Sequence, residues 1–368
     1  MITRNLFIQI ALTVTALFLS SGISFAQRQD ILLEKGWKFH RGEAQGASQI
    51  AYDDSGWESV RVPHDWAITG PFSIENDLQK VAVTQNMESK ATLKTGRTGG
   101  LPYIGTGWYR ISFDVPQGKM AELLFDGAMS EAKVYVNGVE VCYSPYGYSP
   151  FHVDITPFLK PSGETNILAV RLENQPFSSR WYPGAGLYRN VHLITTDKVH
   201  IPVWGTHLTT PHVEKAYASV HLETEVVGGK GCSLKIKTSI YAPDGSLAAE
   251  KVFAGKTGEG QPLVQNFIVD NPQLWSPENP NLYHAVSELY DGERLADVYQ
   301  TRFGFRTMEF IPEKGFFLNG EPRKFQGVCN HHDLGPLGAA INVAALRHQL
   351  LILKDMGCDA IRTSHNMP

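Results

Sequence analysis

Two short stretches near the C-terminal end concentrate side chains that could do chemistry. Asn330, His331, His332 and Asp333 follow one apolar run, and Arg362, Ser364 and His365 close another. Imidazoles, an amide, a guanidinium and a carboxylate together can donate to and accept from neighbouring hydroxyls, which is what reading a polyol requires. Three histidines with an aspartate also invite a zinc reading, but no HExxH helix and no fixed pair spacing accompany them. A blander reading stands beside both, in which polar residues after strands, His331 among them, cap loops and helices. Ser364 next to His365 is not expected to form a nucleophile and base, because neighbours on an extended segment point to opposite faces.

The elements that position these residues form a strand, a helix and a second strand. Phe316-Phe317-Leu318, the turn pair Asn319-Gly320 and then 324–328 read as a hairpin leading into a buried strand. Asn342 can cap a helix whose apolar residues Val343, Leu346, Leu350, Leu353 and Met356 recur at three- and four-residue steps, and Gly357 can end it. A second strand over about 359–363 completes a βαβ unit, which opens a parallel sheet or barrel. In a barrel, loops after such strands gather at the active face, and both polar stretches lie there. Two strands and one helix cannot close eight units, so the chain reads as the N-terminal piece of a longer polypeptide.

Upstream the grammar is all β. Asn137-Gly138 sits between alternating Lys133-Val134-Tyr135-Val136 and Val139-Glu140-Val141, a strong hairpin signal. Over 199–309, Val220, Leu222, Thr224 and Val226 alternate, as do Leu234, Ile236, Thr238 and Ile240, with turns at Asp244-Gly245 and Asp291-Gly292. This predicts an immunoglobulin-like sandwich. The stretch 228–231, with three glycines, reads as a loop tip.

The length of 368 residues predicts two or three domains, and 42% hydrophobic with 19% charged residues suits folded cores. A formal charge of −4 gives no general reason to hold nucleic acid or an anionic membrane. At the start, Arg4, the apolar run from Leu6 to Leu19, and Ser24-Phe25-Ala26 before Gln27 read as a cleavable export leader over 1–26, implying a periplasmic or secreted protein with no membrane span. Cys142, Cys232, Cys329 and Cys358 have no finger spacing; a Cys329–Cys358 bridge is conceivable, but buried thiols are the stronger reading. Gly105-Thr106-Gly107 is followed by no helix, so a dinucleotide site is rejected.

Three ordered motifs then carry a resemblance: Pro63-His64-Asp65-Trp66, Gly105-Thr106-Gly107-Trp108-Tyr109-Arg110, and Ser179-Arg180-Trp181-Tyr182-Pro183-Gly184-Ala185-Gly186-Leu187-Tyr188-Arg189-Asn190-Val191. They resemble the sugar-binding jelly roll of glycoside hydrolase family 2. The run from Leu274 to Tyr283 and Phe303-Gly304-Phe305-Arg306 are similar to that family's immunoglobulin-like domain. Gly327-Val328-Cys329-Asn330-His331-His332-Asp333 and the run from Ala360 to Pro368 are similar to the opening of its catalytic barrel. The resemblance implies a mainly β, multidomain chain: a jelly-roll β-sandwich over 27–197, an immunoglobulin-like β-sandwich over 198–308, and the first βα units of a TIM barrel over 309–368.

It further implies a retaining exo-β-glycosidase acting on carbohydrate, closest in motif wording to β-galactosidases, with β-glucuronidases next. Such an enzyme needs two carboxyl groups about 5–5.5 Å apart. In this family both are glutamates from later barrel strands, beyond Pro368, so this chain alone is expected to be inactive. The alternative from another class is a non-catalytic carbohydrate-binding module. No cofactor is visible; a divalent metal known in some members would fall in the missing part, and a homo-oligomer is open. Asn330, His332, Asp333, Arg362, His365 and Trp181 would bind or frame the sugar, with His332 rather than His331 expected to face it because Asp333 follows. Trp181 reaches the pocket in some relatives with an acidic residue two positions earlier; here Ser179 stands there. Packing is the stronger reading for Trp108, Trp181 and Trp275.

Overall fold

The computed structural model describes residues 28–366, apart from positions within 74–102, residue 162, 176–181 and 256–260. The expected leader and Trp181 therefore lie outside the described residues. Among those described, no helix is long and apolar enough to cross a membrane.

The first domain packs a four-stranded against a six-stranded antiparallel sheet. Met120–Phe125 and Ala132–Val136 bury every second residue, so Leu123, Phe125, Val134 and Val136 meet Trp37, Tyr109, Leu168 and Leu193 in one core. The expected hairpin forms: Val136 pairs with Val139, and Asn137 and Gly138 take φ of 52° and 88° as a tight two-residue turn demands. Gly107 explains the glycine pair rejected as a phosphate loop. A Cβ there would stand 2.7 Å from the Trp66 ring and 3.0 Å from Phe39, so the strand Gly105–Phe113 needs a bare backbone to pass over both.

The second domain packs a three-stranded against a four-stranded antiparallel sheet. Leu263–Asp270 alternates perfectly between buried and exposed, and Val220, Leu222, Ile240, Phe267, Ala285 and Phe305 fill the space between the sheets. Turns fall at Gly245 and Gly292, both with positive φ.

After Phe305 comes a small antiparallel sheet of Met308–Ile311, Gly315–Leu318 and Glu321–Pro322, turned at Asn319 and Gly320. The βαβ unit follows. The first barrel strand, Gly327–Asn330, pairs in parallel with the second, Ala360–Thr363, through the barrel helix Val343–Asp355. The first strand begins later than 324 and is not buried: Gly327 and Cys329 are exposed, Val328 and Asn330 half-buried. Residues 323–326 are instead tied down by side chains, with Arg323 bridging Glu278 at 2.7 Å and Asp359 at 2.6 Å, and the Gln326 amide donating to Asp359 at 2.7 Å. The helix matches its sequence signals. Asn342 accepts from the Ala345 amide at 3.0 Å, Gly357 follows with φ of 87°, and none of the helical residues is buried. All four cysteines are free, and the expectation of buried thiols is corrected: Cys329 is exposed and the others half-buried.

Candidate functional site

Strand alternation sorts the site. Along the first barrel strand Val328 and Asn330 share the helix side, and Cys329 points the other way. Asn330 is consumed on the helix side, its amide donating to Gln349 at 3.1 Å and accepting from it at 3.3 Å. The expectation that Asn330 reads sugar hydroxyls is corrected by that pairing. Cys329 lies opposite Arg362 in the parallel register, so both occupy the face away from the helix, the interior side of a βαβ unit in a barrel.

Arg362 organises that face. Its Nη1 donates to Ser364 Oγ at 3.1 Å and reaches Cys329 Sγ at 3.5 Å, while Nη2 donates to His365 Nδ1 at 3.0 Å. A guanidinium has donors only, so Nδ1 must accept, which leaves His365 neutral with its ring proton on Nε2. The Arg362 guanidinium, with the Ser364 hydroxyl, holds the Cys329 thiol below its usual pKa. His365 is exposed, and the exposed His331 ring lies 6.4 Å from it, nearly perpendicular. The face thus presents two imidazoles, a cation, a hydroxyl and a thiol.

His332 goes elsewhere. It is 2% exposed, its Nε2 donates to the Pro183 carbonyl at 3.3 Å, and its ring stands edge-on to Tyr148 at 5.4 Å. Burial pushes its pKa down, so it is a neutral strut between the first barrel loop and the jelly roll. The residue at the open face is His331, contrary to the expected order. Asp333 is half-buried beside this strut, and its charge acts on both His332 and Tyr182. Sequence reasoning missed Asn366, which is buried and accepts from the Tyr146 hydroxyl at 3.2 Å, and Cys329, which shares the exposed face with Arg362. Counting alternation back from Arg362 through the parallel pairing would have found Cys329. No group of three or more His, Cys, Asp or Glu among the described residues could hold a metal ion, so the zinc reading finds no ligand set.

Three family models match in order: glycosyl hydrolases family 2, sugar binding domain, over 32–197; glycosyl hydrolases family 2 over 199–306; and glycosyl hydrolases family 2, TIM barrel domain, over 310–367. The chain belongs to glycosyl hydrolases family 2. Among family members it is 40% identical to a beta-galactosidase of Bacteroides ovatus over 95% of this chain and 40% of that protein. It is 37% identical to a putative beta-glucuronidase of Formosa agariphila over 93% of this chain and 31% of that one. The fold matches a solved family 2 member from Bacteroides cellulosilyticus with a TM-score of 0.82 and 32% identity, covering 92% of this chain and 43% of that chain. The Bacteroides uniformis beta-glucuronidase matches with a TM-score of 0.79 and 31% identity, over 92% and 40%. The chain therefore spans well under half the length of these family 2 relatives.

Proposed function

We propose that the protein carrying this chain is an exported, retaining exo-β-glycosidase, and first of all a β-galactosidase. The observation that carries the reading is the Arg362–His365–His331 face, where a fixed cation and two exposed imidazoles meet at the mouth side of two parallel strands. Such donors hold the hydroxyls of a terminal sugar so that binding strengthens as the ring distorts toward an oxocarbenium ion. Arg362 and His365 contact the sugar, His331 joins them, and His332 and Asp333 support the loop. Cys329, His331, Arg362, Ser364 and His365 include no carboxylate, so the proton donor and the nucleophile must come from two further carboxyl groups about 5–5.5 Å apart. In the family resemblance these are glutamates of later barrel strands. This chain alone is accordingly inactive.

The second reading is a β-glucuronidase, favoured by the second relative and by a cation that can pair with a sugar carboxylate. Steady-state assays of the full-length protein on aryl β-galactoside and aryl β-glucuronide decide between them. The expected result is galactoside preferred by about tenfold or more in kcat/KM, a difference of about 1.4 kcal/mol in transition-state binding. The reverse preference selects the glucuronidase reading. No turnover of either removes the enzyme reading, and calorimetry with galactose and glucuronate on this chain then tests a binding module.

A further inference from the structure

Asp65 is the third residue of the Pro63-His64-Asp65-Trp66 motif and is 3% exposed. Four donors converge on its carboxylate. Oδ1 accepts from the Ala67 amide at 2.9 Å and the Ala185 amide at 3.0 Å; Oδ2 accepts from the Tyr182 hydroxyl at 2.6 Å and the Ala339 amide at 2.7 Å. The first three lie in the jelly roll. Ala339 lies in the loop between the first barrel strand and the barrel helix, so this carboxylate reaches across a domain boundary.

The surrounding backbone is stripped to let that happen. Gly338, at φ 63°, would place a Cβ 2.4 Å from Asp65 Oδ2 and 2.8 Å from the Tyr182 hydroxyl; Gly184, at φ 74°, would place one 2.4 Å from the Ala339 side chain. Positive φ and the lack of room both demand glycine on each side of the carboxylate. Two further ties join the same segments: His332 to the Pro183 carbonyl at 3.3 Å, and the Ile341 amide to the Tyr188 carbonyl at 2.9 Å. The barrel loop is thereby held at 332, 339 and 341. Burial raises the carboxyl's pKa, while the Tyr182 hydroxyl and three amides pull it back.

We propose that Asp65 is a positioning residue of the sugar pocket: from the jelly roll it fixes the loop 331–341, and with it the His331 ring that faces His365. The kinetic half of this rests on the proposed glycosidase reading; the structural half does not. Two acceptor oxygens facing four donors require a carboxylate. Asp65→Asn keeps the shape but turns one oxygen into a donor. With the amide oxygen kept on Ala67 and Ala185, the NH2 group confronts Tyr182, whose hydroxyl can rotate to accept, and the Ala339 N–H, which cannot.

Hydrogen exchange on the full-length protein tests the tie. Asp65→Asn is expected to speed amide exchange over 334–340 by about tenfold or more, the loss of a charge-assisted hydrogen bond, while the sandwich strands keep their protection. Tyr182→Phe, which leaves the Ala339 bond in place, is expected to stay within about threefold of wild type over 334–340. On the aryl glycoside that the protein hydrolyses, Asp65→Asn is expected to lower kcat/KM by about tenfold and Tyr182→Phe to leave it within about threefold. Unchanged exchange over 334–340 in Asp65→Asn, or uniformly faster exchange throughout the chain, overturns the proposal. If Asp65→Asn fails to fold, Gly338→Ala, which drives a methyl group against Oδ2 from the loop's side, is read against the same two outcomes. A protein that hydrolyses no glycoside removes the kinetic half and the glycosidase reading together, and leaves the exchange result to decide the tie.

Discussion

Arg362 spends a rigid fork of donors on three acceptors, and only a planar guanidinium spans Ser364, His365 and Cys329 at once. Arg362→Lys keeps the charge but cannot hold His365 Nδ1 and Ser364 together. It is expected to reduce kcat/KM of the full-length enzyme by about two orders of magnitude, roughly 2.7 kcal/mol, in steady-state assays. Asn330 predicts the opposite pattern, because its amide is engaged with Gln349 rather than facing the pocket. Asn330→Ala is expected to cost about 1 kcal/mol of stability in denaturant unfolding and to leave KM unchanged. The residue types needed for a polyol site were legible in the sequence, but their directions were legible only in part. Arg362 and His365 lie together on the exposed face, whereas Asn330, His331 and His332 differ by single steps along one strand and its exit, and each step reverses the side. Tracing alternation from the helix-facing Asn330 would have favoured His331; the acidic residue after His332 pointed the other way.

Elements were read more securely where the signal is local. The Asn137-Gly138 hairpin, the cap at Asn342 and the stop at Gly357 each rest on one or two residues with special backbone or hydrogen-bonding demands, and all three are found. The start of the first barrel strand is not legible in the sequence, because residues 323–326 are held by ionic and amide contacts from Glu278 and Asp359, partners that no local pattern reveals. Gly107 is the converse: a local motif whose reason is tertiary. Gly107→Ala pushes a methyl group to within 2.7 Å of the Trp66 ring, inside a core that includes Phe39 and Tyr109. Overpacking of this kind is expected to cost about 1–3 kcal/mol, seen as a lowered unfolding midpoint of the first sandwich.

At the scale of the whole molecule, charge pairs matter more than the small net charge suggests. His192 on the strand Val191–Thr196 lies between Asp126 at 3.6 Å and Asp30 at 2.7 Å, and these carboxylates raise its pKa from 6.5 to about 9. A histidine whose pKa is higher folded than unfolded stabilises fully below about 6.5, and that contribution is lost as pH rises through about 9. The thermal midpoint is therefore expected to fall between those pH values in the wild type and to fall less in His192→Gln, as differential scanning calorimetry would record. The order of domains was legible because motifs mark each one. The fastening between domains was not, because it pairs residues far apart in sequence. Arg28, on the segment leading into the first sandwich, donates to Asp297 of the second at 2.9 and 3.2 Å, and Asp297 is 1% exposed and also accepts from the Ile201 amide at 2.8 Å. Anyone excising the second sandwich as a stand-alone reagent would therefore leave its counterion behind on the discarded piece. Asp297→Asn would not repair such a graft, because Oδ2 accepts from the Ile201 amide and Oδ1 from the Val298 amide, and either orientation of the new side chain would set its NH2 against one of these N–H groups.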